Sequence, residues 1–137
     1  MNRPIIGFAG LTHLGLNSAI ASAAKGFTVV GYHNDTQLVA LLNSGKPHVF
    51  EPQLPELMEK HQANLSFSVD ANCLASCDIV YIAVDVPTDD NGKSNLKPIE
   101  EMIDRAVTVM RKEASLVILC QVSPGFTRTL KWPADQL

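Results

Sequence analysis

An apolar run, Ile5-Ile6-Gly7-Phe8-Ala9, passes directly into Gly10-Leu11-Thr12-His13-Leu14-Gly15, and that turn into Leu16, Ala19, Ile20, Ala23 and Ala24 at helical spacing. A strand that hands over to a helix within a few residues opens a βαβ unit, and glycines at such a turn have separate duties. The first permits the sharp bend, the second lets backbone approach a pyrophosphate, and the third lets helix and strand pack closely. Gly10 and Gly15 hold the first and third places, and Thr12 holds the second. The helix start offers free N–H groups and the positive end of its dipole to an anion. Two readings are open: a phosphate site, or a tight turn with no ligand. The strand-to-helix context favours the phosphate site.

The rest of the chain keeps the same alternation. Gly26 stops the first helix, and Thr28-Val29-Val30-Gly31-Tyr32 reads as the second strand. Asp35 is placed to cap a helix carrying Leu38, Val39, Leu41 and Leu42 as far as Asn43 and Gly45. Residues 46–55 hold three prolines and read as an irregular connector, followed by a short helix over 54–62. Residues 65–69 alternate as a half-buried or edge strand does, and 71–76 form at most two helical turns. Residues 78–84, nearly continuous and β-branched, suit the centre of a parallel sheet. The segment 85–96 is turn-rich, tightest at Asp90-Asn91-Gly92. Pro98 then opens the clearest helix, with Ile99, Met102, Ile103, Ala106, Val107 and Met110 on one stripe. Residues 116–120 are the fifth strand, Ser123-Pro124-Gly125 a turn, and a further helix is expected from Phe126.

Short crossovers between strands require parallel pairing and right-handed connections. The expected fold is therefore one domain over residues 1–137: a Rossmann-like, doubly wound α/β sheet in the order 3-2-1-4-5. Ligands are expected at the carboxyl ends of the first and fourth strands. The six-stranded form of this sheet has one strand more, so the fifth strand is expected at an exposed edge and the chain to be part of a longer one.

Composition excludes several classes. Eleven Lys+Arg against fourteen Asp+Glu give a net charge of −3 with no basic run, which argues against nucleic acid. The 46% hydrophobic and 18% charged residues describe a chain that buries a core. No apolar run approaches the ~20 residues that cross a bilayer. The stretch before Gly7 is too short for a signal-peptide core, so the cytoplasm is the expected location. Cys73, Cys77 and Cys120 are too few and too odd in number for a disulfide scaffold. Cys73 and Cys77, four apart, read as small buried side chains rather than half a metal site, since no further ligand stands near.

Other chemistry-bearing residues have plainer readings. Asp85, Asp89 and Asp90 lack calcium-loop spacing and belong to a turn. His13, His33, His48 and His61 are too scattered for metal ligation, and no metal is expected. Thr127-Arg128 has two readings, a phosphate-holding pair at a helix start or, at least as well supported, an ordinary first-turn pair, and Glu100 and Glu101 read as acids suited to a helix N-terminus. No Ser-His-Asp or Cys-His arrangement can be drawn. A carboxylate that takes the adenosine ribose should follow the second strand, about twenty residues past the glycines. His33 stands there instead. Asp35, two residues on, could face the same way, but the helix cap is its better reading.

Taken together, several stretches resemble the N-terminal domain of the UDP-glucose/GDP-mannose dehydrogenase family. They are 6–15, Leu42-Asn43-Ser44-Gly45-Lys46-Pro47 leading to Phe50-Glu51-Pro52, 78–84, Pro87-Thr88-Asp89-Asp90-Asn91-Gly92-Lys93-Ser94, and Gln121-Val122-Ser123-Pro124-Gly125-Phe126-Thr127-Arg128. The resemblance spans nearly the whole chain and implies about the first third of a family member. It implies oxidation of the C6 alcohol of a nucleotide sugar, UDP-glucose foremost, to a carboxylate, with two NAD reduced and a cysteine holding the aldehyde as a thiohemiacetal. That cysteine and its partners would lie beyond residue 137. Cys120 is not that residue and reads as core in the last turn of a buried strand, so no catalytic residue is expected here.

For this part the resemblance implies NAD binding. Gly10, Thr12, His13, Leu14 and Gly15 match the phosphate turn, and His33 the ribose acid. Val84 and Val86 match the loop near the nicotinamide half, and Gln121 the position after the fifth strand. Thr12, His33 and Val86 depart from the family's usual glycine, acid and threonine. Those departures leave two functional readings: the cofactor part of a homodimeric dehydrogenase, or a non-catalytic nucleotide-binding module with a degenerate site. A hydroxyacid-type dehydrogenase is a third reading, disfavoured by segments 87–94 and 121–128.

Overall fold

Five parallel strands carry the fold: β1 (Ile5–Ala9), β2 (Thr28–Tyr32), β3 (Leu65–Ser68), β4 (Ile79–Ile82) and β5 (Ser115–Ile118). Their order is β3-β2-β1-β4-β5, the doubly wound order expected from the sequence. The structure is a computed structural model that describes residues 3–47, 51–85, 96–120, 122 and 124–130. Four α-helices connect the strands among these residues: α1 (His13–Ala24), α2 (Thr36–Asn43), α3 (Leu54–Lys60) and α4 (Lys97–Val109). Shorter 3-10 helices occupy Gln62–Asn64, Ala71–Ser76 and Phe126–Thr129. His48, Val86, Asp89, Asp90 and Gln121, singled out above, lie outside the described residues.

Alternation along each strand divides the core into two layers. Ile6 and Phe8 of β1, Val29 of β2 and Phe67 of β3 pack with α1, α2 and α3. Phe8 stacks on Tyr81 of β4, ring centroids 5.2 Å apart. On the other face Ala9, Tyr32, Val80 and Ile82 pack beneath Leu74 and the α4 stripe of Ile99, Met102, Ile103 and Ala106. A methyl on Gly7 would meet Cys77 Sγ at 2.8 Å, so the second layer rests directly on β1 backbone. No helix among the described residues is long and apolar enough to cross a membrane.

The helix stops follow the glycines. Gly26 has φ 96° and Gly45 φ 85°. Phe27 N donates to Ser22 O and Gly26 N to Ala23 O at the end of α1, and Lys46 N to Leu41 O and Gly45 N to Leu42 O at the end of α2. Both are Schellman ends, which need a left-handed residue that glycine supplies without Cβ strain. Asp35 Oδ1 accepts from Gln37 N (3.0 Å) and Leu38 N (3.2 Å), so its carboxylate is the α2 cap.

Several boundaries differ from the sequence reading. β4 and β5 end at Ile82 and Ile118, opposite one another and level with Ala9 of β1. The ladder ends where Gly10 turns away at φ 106°, and hydrophobic character alone does not record that limit. Cys120 therefore stands beyond β5, half-buried, with Sγ 3.1 Å from Ile82 O, not in the last turn of a buried strand. Phe126–Thr129 form a 3-10 turn where a helix start was expected, and residues 131–137 lie outside the described residues. Burial pushes the Cys73 thiol up to about 11 and Cys77 up to about 12; Cys77 is buried as expected, while Cys73 is only half-buried.

Asp78 ties three strands at the amino end of the sheet. Its Oδ2 accepts from Ile5 N at 2.7 Å, its N donates to Ile5 O at 2.8 Å, and its O accepts from Ser115 N at 2.9 Å. Arg111 pairs with Oδ1 and also reaches Cys77 O. The Ile5 N–H, and then Arg111, hold the Asp78 carboxyl below the usual carboxylate range. A depressed folded value means that the unfolded chain binds the proton first as pH falls. The contribution of Asp78 is thus present above the ordinary value of about 3.9 and lost as pH drops through the folded value. Urea midpoints at neutral and acid pH test this: Asp78→Asn is expected to lower stability at pH 7 and flatten the acid limb of the profile.

Candidate functional site

The carboxyl ends of β1, β2 and β4 meet at one edge of the sheet, and the glycine turn is folded into that corner. Gly10 N donates to Tyr32 O at 2.9 Å, holding the turn against β2. A Cβ on Gly10 would stand 2.8 Å from Ala83 O, and one on Gly15 only 1.9 Å from Gly10 O. The turn therefore closes on itself with no room for side chains at its first and third glycine places.

Thr12 occupies the N-cap of α1 with extended backbone (φ −78°, ψ −161°) and makes no side-chain cap bond. Its carbonyl accepts from Leu16 N, yet Oγ1 is buried with no hydrogen-bond partner. A buried hydroxyl without a partner is costly, and here it lies among first-turn N–H groups that also need acceptors. No acidic residue stands in that first turn. The corner is thus short of anionic acceptors, which is what the phosphates of a dinucleotide supply. The residues present fit such a group. His13 and Leu14 stand on the exposed side, where His13 Nε2 lies 2.7 Å from Glu51 Oε1.

His33 follows β2 as expected, and the structure gives it a contact that sequence spacing did not announce. Its Nδ1 accepts from Leu11 N at 3.1 Å, bracing the glycine turn from the neighbouring strand, while its own N donates to Ser68 O. A cleft of about 140 Å³ opens beside it. Gly10, Thr12, His33, Asn34 and Val84 form one side of its lining. Pro98, Glu101, Met102 and Arg105 of α4 complete it.

The corner thus brings together Gly10, Thr12, His33 and Val84. Gly15 lies behind them, packed on Gly10. Sequence reasoning missed the α4 contribution, reading Met102 as core and Glu101 as a dipole acid. The recoverable signal was spacing, since 98, 101, 102 and 105 lie on one face of a helix whose first turn stands at the strand ends. Among the described residues no group of three or more His, Cys, Asp or Glu could hold a metal ion.

An open parallel sheet, a glycine turn opening α1 and a cleft at the strand-order switch define a dinucleotide-binding domain of the dehydrogenase type. The family model described as "UDP-glucose/GDP-mannose dehydrogenase family, NAD binding domain" matches residues 5–135, so the chain belongs to that family by its NAD-binding domain. It is similar to a UDP-N-acetyl-D-mannosamine dehydrogenase of Campylobacter jejuni, 32% identical, covering 93% of this chain and 31% of that one. It is also similar to a GDP-mannose 6-dehydrogenase of Pseudomonas savastanoi, 31% identical, covering 88% and 29%. The solved UDP-glucose dehydrogenase of Pyrobaculum islandicum superposes with a TM-score of 0.84 at 28% identity, covering 90% of this chain and 30% of that one. The chain therefore spans under a third of the length of each of these relatives.

Proposed function

We propose that this chain is the NAD-binding part of a nucleotide-sugar 6-dehydrogenase that oxidises the C6 alcohol of UDP-glucose, or of a related sugar nucleotide, to the carboxylate. The observation that carries the cofactor site is the buried, unpartnered Thr12 Oγ1 at the N-cap of α1. In this reading Thr12 donates that hydroxyl to a phosphate oxygen. Gly10 and Gly15 keep the turn low enough for the phosphates to approach, and the α1 N-terminus, flanked by His13 and Leu14, offsets their charge. His33 holds the turn and stands beside the adenosine ribose.

Val84 shares one cleft with His33, which favours the adenosine end over the nicotinamide half for this residue. The cleft's 140 Å³ is below the about 300–1,000 Å³ of a whole small-molecule site, so it takes part of the dinucleotide. Val86 and Gln121 are assigned to the same site by family position. When bound, NAD supplies the hydride acceptor; in this reading the chain's own residues supply position and charge, and the groups that act on the sugar belong to the rest of the enzyme. UDP-glucose is chosen on the resemblance and on the Pyrobaculum relative, with GDP-mannose and UDP-N-acetylmannosamine as the related substrates.

A calorimetric titration of the folded chain with NAD at low salt tests the site. Saturable binding, with no NADH formed when UDP-glucose is added, is the expected result. One observation favours a second reading, a non-catalytic module: the Leu11 N–H of the turn is already taken by His33. Absence of NAD binding by folded protein would support that module and overturn the cofactor site.

A further inference from the structure

Resting on the nucleotide-site reading above, we infer that the cleft accepts a 2′-phosphorylated adenine dinucleotide alongside NAD, and that His33 sets this tolerance. Discrimination against a 2′-phosphate in this fold comes from a carboxylate after β2 that bonds the ribose hydroxyls and repels added negative charge. That carboxylate is missing here on two counts. His33 occupies the position, and its Nδ1, accepting from Leu11 N, is committed to the turn. Asp35, the next acid along, caps α2 through Oδ1 and is not among the described residues that line the cleft. Among the described lining residues, the end of β2 thus contributes His33 and Asn34 and no carboxylate.

The opposite wall supplies a cation. Arg105 lines the same cleft, one helical turn beyond Glu101 on the same α4 face. Glu101 is the only carboxylate among the described lining residues, and Arg105 offsets it, so the walls carry no net negative charge from acidic and basic side chains. An aspartate at 33 would make that balance negative. A guanidinium facing the ribose side is the group that holds a 2′-phosphate in this fold, because its planar fork matches the phosphate oxygens.

The test is calorimetry with NAD and with NADP at one fixed low ionic strength, on the parent protein, His33→Asp and Arg105→Gln, each checked for folding by circular dichroism. The parent is expected to bind NADP within about tenfold of NAD. His33→Asp, whose carboxylate can still accept the Leu11 N–H, is expected to shift the NADP-to-NAD ratio of dissociation constants upward by about ten- to a hundredfold. Arg105 is exposed, and Arg105→Gln is expected to shift the ratio in the same direction with the fold intact; it keeps the test open if His33→Asp does not fold. A parent that binds NAD and rejects NADP by more than about tenfold overturns this inference and leaves the NAD site standing. An unchanged ratio in folded His33→Asp overturns the role of His33. Folded protein that binds neither nucleotide overturns the site reading, and this inference with it.

Discussion

Gly15→Ala is expected to destabilise the protein by about 3 kcal/mol or more, at the upper end of what overpacking costs. The added Cβ would lie 1.9 Å from Gly10 O, which is backbone and cannot swing aside as a flexible side chain does. Gly10 cannot retreat either. It is held at φ 106°, its N bonds Tyr32 O, and its Cα already faces Ala83 O. Relief would require α1 to lift off β1 and disturb the layer of Leu16, Ala19 and Ile20 beneath it. At about 2.1 cal/mol/K of unfolding entropy per residue, a loss of 3 kcal/mol is roughly 10 °C in Tm for a chain this long. Differential scanning calorimetry checks it, with Gly45→Ala as the comparison. Gly45 also has a positive φ, but its Cβ would meet nothing within 4 Å, so about 1 kcal/mol of backbone strain is expected there. Equal losses at the two positions would refute the close approach of α1 to the turn.

The same contrast explains what could be read from the chain and what could not. The α4 stripe, the Asp35 cap and the stops at Gly26 and Gly45 are local: each follows from a period or from one residue's backbone preference, and each is present. The alternation of these elements implied a parallel, doubly wound sheet, and the observed order is the dinucleotide-binding one expected of it. Contacts made between elements had no such signature. Leu11 N and His33 Nδ1 are 22 residues apart, and only the pairing of β1 with β2 brings them together. Glu101 and Arg105 look like solvated charges of an amphipathic helix until the sheet places their face over the strand ends. The ends of β4 and β5 were misjudged for the same reason, since a strand stops where its neighbour leaves, whatever its own residues prefer.

Thr12 separates stability from function most sharply, because the two should move in opposite directions. Thr12→Val keeps the shape and removes a buried hydroxyl that has no partner in the free protein, so Tm is expected to hold or rise. If that hydroxyl serves a phosphate, NAD affinity should fall by about tenfold or somewhat more, the lower end of what one hydrogen bond to a charged group contributes. Thr12→Asp is the larger test. Aspartate is among the preferred N-cap residues and suits the positive end of α1, whose first turn has no acid and no side-chain cap, so stability should stay within about 1 kcal/mol of the parent. The same negative charge would stand against the pyrophosphate. At ~4 Å, repulsion between two unit charges is about 1 kcal/mol in water and about 4 kcal/mol at the effective dielectric of a protein surface. With the hydroxyl donor also gone, NAD affinity should fall about a hundredfold or more. Calorimetric titration beside thermal melts of all three proteins reads both quantities. A folded Thr12→Asp protein that binds NAD like the parent would place the phosphates elsewhere, and the turn would then be only the joint between β1 and α1.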